Sequence, residues 1–81
     1  MSSEQTSLFD ITKIDTELVR ETIGSVYKSL EERGYNPTNQ IVGYLISGDP
    51  GYISSYKDAR KKISKYERTR ILTVLVKDFL K

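Results

Sequence analysis

Gly34-Tyr35-Asn36-Pro37-Thr38-Asn39-Gln40-Ile41-Val42-Gly43-Tyr44-Leu45-Ile46-Ser47-Gly48-Asp49-Pro50 decides the fold of this 81-residue chain. Its interior is an apolar helical run, and both of its ends carry backbone punctuation. Gly34 is a helix terminator at C′, where a residue without a Cβ enters the left-handed region freely. Leu30 then occupies C3 and Tyr35 occupies C″, the apolar pair that accompanies a Schellman ending. Asn36 restarts the chain as a cap, and Pro37 at N1 sacrifices no N–H that the helix would use. Gly48 closes this second helix, and Asp49-Pro50 repeats the cap-and-proline device ahead of a single turn through Tyr52 and Ile53. Ile41, Val42, Tyr44, Leu45 and Ile46 leave few polar sides, so this short helix is expected to be the most buried one.

Upstream, Leu18, Val19, Thr22, Ile23, Val26, Tyr27 and Leu30 recur at spacings of three and four, which draws one apolar stripe on a helix. Asp15 is the expected cap of that helix, with Glu17 near its positive end. Gly24 interrupts the stripe at about 1 kcal/mol relative to alanine, and close helix–helix contact would account for it. Residues 1–7 hold no apolar anchor beyond Met1, so residues 1–10 are expected to form a flexible tail and residues 11–81 a single helical domain. Leu8, Phe9, Ile11 and Ile14 are the residues able to dock the stretch between tail and helix.

Downstream, Ser55-Tyr56-Lys57-Asp58 has the spacing of a capping box and opens a fourth segment. Tyr56, Ala59, Ile63 and Tyr66 share one side of its helical wheel, and Lys57, Arg60, Lys61, Lys65 and Arg68 fall on the other. Thr69 is the expected cap of a last helix striped by Ile71, Leu72, Leu75, Val76, Phe79 and Leu80, with one longer helix continuing through Glu67–Thr69 as the alternative. The whole reads as an all-α bundle of about four to five short helices.

Composition narrows the chemistry. The chain has no Cys and no His, which removes thiolate and imidazole catalysis and leaves neither a disulfide nor a transition-metal staple. A domain of this size buries only about 60–65% of its unfolded surface, so self-association is the expected source of further stability. No apolar run approaches the ~20 residues a bilayer needs, and no basic-then-apolar leader opens the chain, so a cytoplasmic protein is expected. The formal charge of +2 hides a polarity: Lys57, Arg60, Lys61, Lys62, Lys65, Arg68 and Arg70 cluster in one segment, and the remainder is net acidic.

Each candidate site has a plain structural rival. The six tyrosines could stack on single-stranded nucleic acid, but Tyr27, Tyr44, Tyr56 and Tyr66 lie on or beside apolar stripes, where half-buried rings belong. For the basic face of the fourth helix a solvated charged surface ranks first, an acidic protein partner second and DNA third. The DNA reading would make the protein a small helix-turn-helix regulator, yet the helix offers no Asn or Gln to read adenine edges. Gly43 and Gly48 lack the spacing of a phosphate-binding loop. Asp49 is better explained as a cap than as a catalytic acid. Thr6, between Gln5 and Ser7, is an accessible candidate for modification, in competition with Ser2, Ser3, Ser7 and Thr12.

Several of these segments together resemble the IreB family, small regulatory phosphoproteins of Gram-positive bacteria. The resemblance rests on Arg33-Gly34-Tyr35-Asn36-Pro37, Asn39-Gln40-Ile41-Val42-Gly43-Tyr44, Ser47-Gly48-Asp49-Pro50 and Tyr52-Ile53, then on Asp58-Ala59-Arg60, Tyr66-Glu67-Arg68 and the closing Leu75-Val76 and Leu80-Lys81. It implies a non-enzymatic helical homodimer without cofactor or metal, controlled by a membrane-bound Ser/Thr kinase and its phosphatase. It further implies restraint of peptidoglycan synthesis and of cell-wall antibiotic tolerance, through Clp-protease turnover of the UDP-N-acetylglucosamine enolpyruvyl transferase. Thr6 matches the family's phosphorylated threonine, and Arg60, Lys65 and Arg68 are the residues expected to meet the partner. Nucleic acid is not an expected partner. Two departures stand out: Ser54-Ser55 replaces the family's Pro-Arg, and Thr69 replaces an acid.

Overall fold

A chain with two glycine–proline punctuations and no Gly or Pro before Gly24 is free to build a long first helix, and it does. A computed structural model describes residues 2–81, with side chains from Asp15 onward. Helix α1 (Ser2–Glu32) is followed by α2 (Pro37–Ser47), a 3-10 turn at Pro50–Tyr52, a second at Tyr56–Asp58, α3 (Ala59–Ile63) and α4 (Arg68–Phe79). The fold is all-helical, with four α-helices and no strand among the described residues. The side chains of Thr6, Leu8, Phe9, Ile11 and Ile14, and the tail boundary expected at residue 10, lie outside the described side chains.

The turn from α1 to α2 forms as its sequence demands. Tyr35 N–H donates to Leu30 O at 3.0 Å and Gly34 N–H to Glu31 O at 3.0 Å, with Gly34 at φ 89°. These are the two bonds of a Schellman ending. Asn36 then accepts from Asn39 N–H through its side chain at 3.1 Å. At the far end Gly48 sits at φ 78° and donates to Tyr44 O, and Asp49 Oδ1 accepts from Gly51 N–H at 2.8 Å.

Three other helix starts differ from expectation. Asp15 lies inside α1, because nothing between Ser2 and Gly24 breaks a helix, and its carboxylate pairs instead with Arg70 of α4. Ser55 makes no side-chain cap bond; Ser54 Oγ accepts from Tyr56 N–H at 3.2 Å in its place. Helix α4 starts at Arg68 behind an extended Glu67, one residue before the expected cap Thr69.

The core is Val19, Val26 and Leu30 of α1, Ile41 and Tyr44 of α2, Ile53 between the 3-10 turns, Ala59 and Ile63 of α3, and Ile71 and Val74 of α4. Helix α1 is therefore the central element, touching α2, α3 and α4, and α2 is not the most buried. Ile41 and Tyr44 face inward, while Val42 and Ile46 point to solvent, Ile46 at 78% exposure. Helix α4 repeats the pattern: Ile71 and Val74 are buried, whereas Leu72, Val76, Phe79 and Leu80 are exposed, Phe79 at 86%. On both helices the outer apolar set lies about 150° around from the inner one, given 100° per residue. The chain thus carries more apolar surface than one copy buries. Leu18 and Tyr27 of α1 are likewise exposed, so that helix's inner stripe is narrower than its sequence suggests.

Two glycines have opposite surroundings. A Cβ on Gly43 would sit 2.5 Å from the Tyr52 ring, whereas one on Gly24 would meet nothing within 4 Å, so helix contact does not explain Gly24. Gly43→Ala is expected to lower stability by about 1–3 kcal/mol through overpacking, and Gly24→Ala to raise it by about 0.5–1 kcal/mol through helix propensity. Urea unfolding followed by circular dichroism checks both signs.

Candidate functional site

The basic segment begins with a constrained reversal. Lys57 and Asp58 follow one another in the left-handed region, at φ 51° and 61°, a conformation that costs non-glycine residues on the order of 1–2 kcal/mol each. Contacts to α1 hold it. Lys57 Nζ donates to Glu32 Oε1 at 2.6 Å, and the Tyr56 hydroxyl donates to the same oxygen at 3.1 Å. The cationic groups of Arg33 and Lys57 each lie 5.6 Å from the Tyr56 ring centre, within cation–π range. The reversal lets Ala59 and Ile63 enter the core at 0% exposure while the cations of α3 stay outside.

The three cations expected to meet a partner are placed differently from one another. Arg60 is tied to the scaffold, its Nε donating to Ile53 O at 2.8 Å. Arg68 packs its guanidinium over Gly48 and donates from NH1 to Leu45 O at 2.9 Å. That bond satisfies a terminal carbonyl of α2 and sets a positive charge at the negative end of the helix. Lys65 is exposed, in the turn between α3 and α4. Only Arg60 of the three lines the open groove of about 380 Å³ beside α3, which it shares with Pro50, Ser55, Asp58, Lys61 and Ser64. Lys61 belonged to the basic face expected from the sequence, whereas Ser55 and Ser64 entered no sequence-based expectation as site residues.

Arginines that use one N–H on a carbonyl keep the rest of their donors and their full charge. Arg60 and Arg68 are therefore held and still cationic, which lowers the entropy lost when a partner docks on them. A five-residue α3 spans only about 7.5 Å, little length for reading a DNA groove.

Ion pairs fix α4 on α1. Arg20 forms a two-pronged pair with Asp78, both bonds 2.7 Å, and also reaches Glu17 at 2.6 Å. Arg70 pairs with Asp15. The bond from Arg20 holds the Asp78 carboxyl below the ordinary carboxylate range. Bonds from Lys57, then from Tyr56, do the same for Glu32, and the Glu32 bond raises Lys57. Among the described residues no group of three or more His, Cys, Asp or Glu could hold a metal ion. No described helix is long and apolar enough to cross a membrane.

The sequence model of the IreB regulatory phosphoprotein family matches residues 4–81. The match runs from the first turn of α1 through the groove and the three interhelical connections to the last residue.

The clamp between α1 and α4 predicts an acid-side signature. Asp78 and Glu32 have lowered values when folded, so their contribution is complete above the unfolded carboxylate values and fades as pH falls through the folded ones. Lys57 gives the mirror case, complete below its unfolded value and lost as pH rises through the raised one. Asp78→Asn should therefore flatten the loss of stability below about pH 4, read as the urea midpoint against pH. An unchanged acid limb would show that the pair contributes nothing.

Proposed function

The chain belongs to the IreB family of regulatory phosphoproteins, and from that premise we propose that it is a non-enzymatic, phosphorylation-controlled adaptor in the cytoplasm. A membrane-bound Ser/Thr kinase modifies Thr6 and a phosphatase reverses the change. The unmodified protein restrains peptidoglycan synthesis, and with it cell-wall antibiotic tolerance, by promoting Clp-protease turnover of the enolpyruvyl transferase. Phosphorylation lifts the restraint.

One observation carries this reading: two cations of the basic face expected from the sequence are anchored to the scaffold. Arg60 and Arg68 are fixed by carbonyls of their own chain, and exposed Lys65 stands between them in sequence. Such a face suits an acidic protein surface. A phosphothreonine adds about −1.5 to −2 charge and three acceptor oxygens, so it can either occupy this face or repel what docks there. Charge-assisted contacts are worth on the order of 1.5–3 kcal/mol, enough to change docking tenfold or more.

Self-association is the second part of the proposal. Val42 and Ile46 of α2 with Leu72, Val76 and Phe79 of α4 and its cap Leu80 are apolar and exposed, and Arg68 bridges the two helices by bonding Leu45 O. A second copy is the occupant that would cover them, supplying the burial an 81-residue core lacks.

Lys65 is the clean probe of docking, since its side chain holds nothing in the scaffold. Lys65→Glu should weaken binding to the purified protease–transferase system about tenfold or more with an unchanged urea midpoint. Phosphorylation should act in the same direction, and Thr6→Ala should abolish that response. Arg60→Ala should lose both affinity and stability. If Lys65→Glu and phosphorylation both leave the affinity unaltered, the proposal fails. For the dimer, Val76→Glu with Phe79→Glu should shift sedimentation from dimer to monomer while helix content is retained.

A further inference from the structure

Phosphorylation at Thr6 must be communicated to the cationic face, and the geometry restricts how. Lys62 Nζ donates to Ser25 Oγ at 3.3 Å, which seats α3 beside the second half of α1. From residue 6 to residue 25 a continuous helix rises roughly 28 Å at 1.5 Å per residue. The screening length at physiological salt is about 8 Å. A phosphate that stays on helical α1 is thus too far away to act on α3 through space, so it must be delivered by contact.

The groove beside α3 is built to receive such a contact. Arg60 and Lys61 bring two cations, and the hydroxyls of Ser55 and Ser64 flank them. Ser64 donates its hydroxyl hydrogen to Arg60 O at 2.8 Å, which leaves its oxygen lone pairs turned to other donors and fixes the side chain in place. Arg60 Nε is committed to Ile53 O, so its remaining donors are presented in a fixed orientation, the geometry that favours paired bonds to phosphate. Asp58 at the lip is the one opposing charge among the lining residues. It is held in the left-handed region by the Lys57–Glu32 bond one residue earlier. The walls between these polar groups are mainly carbon, from Pro50 and the side-chain stems of Arg60 and Lys61. Cations next to an apolar floor fit an extended phosphopeptide whose phosphate is followed closely by apolar side chains. In this sequence Thr6 is followed by Ser7-Leu8-Phe9.

We infer that the groove formed by Pro50, Ser55, Arg60, Lys61 and Ser64 is the receptor for this protein's own phosphorylated amino-terminal segment, with phosphothreonine on Arg60 and Lys61 and the following apolar residues over Pro50. The inference rests on Thr6 as the modified residue. Occupation removes Arg60 from the face offered to an acidic partner. It requires residues 6–9 to leave the helix as an arm reaching a second copy; within one chain the helix must unwind further, to about residue 12 or beyond, because an extended chain spans at most about 3.3–3.6 Å per residue.

The test uses the unphosphorylated full chain, isotope-labelled for NMR, and a synthetic peptide of residues 2–11 with or without phosphate on Thr6. The phosphopeptide should shift the backbone signals of Ser55, Arg60, Lys61 and Ser64 saturably, and the plain peptide should bind at least tenfold more weakly. Lys61→Glu, which carries no scaffold bond, should remove the preference for phosphate while the spectrum stays folded. Shifts confined to other surfaces, equal binding of the two peptides, or insensitivity to Lys61→Glu would each overturn the inference. In the kinase-treated full chain, concentration-independent groove shifts identify delivery within one chain, and concentration-dependent shifts identify a second copy. Loss of partner docking on phosphorylation with a silent groove would sink this receptor and leave the proposed switch standing. A filled groove with unchanged docking would do the reverse.

Discussion

The line of Val19, Val26 and Leu30 along α1 is the surface on which every other helix depends. All three are 0% exposed, and α2, α3 and α4 each pack against the helix that carries them. Apolar burial is non-directional, so this line alone would not decide how the other helices lie on it. Direction comes from charged pins at its edges. Arg20–Asp78 and Asp15–Arg70 orient α4, and Glu32 orients the reversal before α3 through Lys57 and Tyr56. Surface pairs of this kind add little free energy individually, but a small core with few contacts is where a geometric bias between alternative packings matters most.

Local punctuation was legible in the sequence and tertiary choice was not. Gly34, Asn36-Pro37, Gly48 and Asp49-Pro50 act through backbone geometry within four or five residues, so the Schellman ending and both proline-led starts could be read directly. Asp15, Ser55 and Thr69 are equally good caps by residue type. They lost because a cap competes with helix continuation and with alternative acceptors: α1 had nothing to stop it, Ser54 Oγ took Tyr56 N–H, and Glu67 was already extended. The spacing of Leu8, Ile11, Ile14 and Leu18 continued the helical period and was the available hint that α1 starts early. Periodicity also found the apolar positions of α2 and α4 without telling which of two apolar faces turns inward, since a helix apolar over a wide arc gives the same pattern whichever arc is covered by its own chain.

The candidate site shows the same limit in chemical form. Sequence placed Arg60, Lys65 and Arg68 in one basic segment but could not divide their labour. The structure assigns Arg60 to Ile53 O and Arg68 to the end of α2, so two of the three are braces as well as charges. A cation that braces a turn is already desolvated on one side and restricted in its rotamers, and a partner binding it gives up less entropy than it would on a free lysine.

The length of α1 then constrains the kind of switch this protein can be. A modification at one end of a long helix and a cationic face at the other cannot sense each other through salt water, and a stiff helix carries no charge along its axis. Delivery within one chain would unwind the first turns of α1 and lose the helical hydrogen bonds they make. Delivery to a second copy would unwind only the entering residues where the dimer sets that copy's groove beside the start of α1, and a dimer would supply that arm at an effective concentration on the order of millimolar. The exposed apolar faces of α2 and α4 and the distance between Thr6 and Arg60 therefore bear on the same question. If the second copy delivers the phosphate, self-association is a condition of regulation as well as a source of stability, and the two would be lost together on dilution.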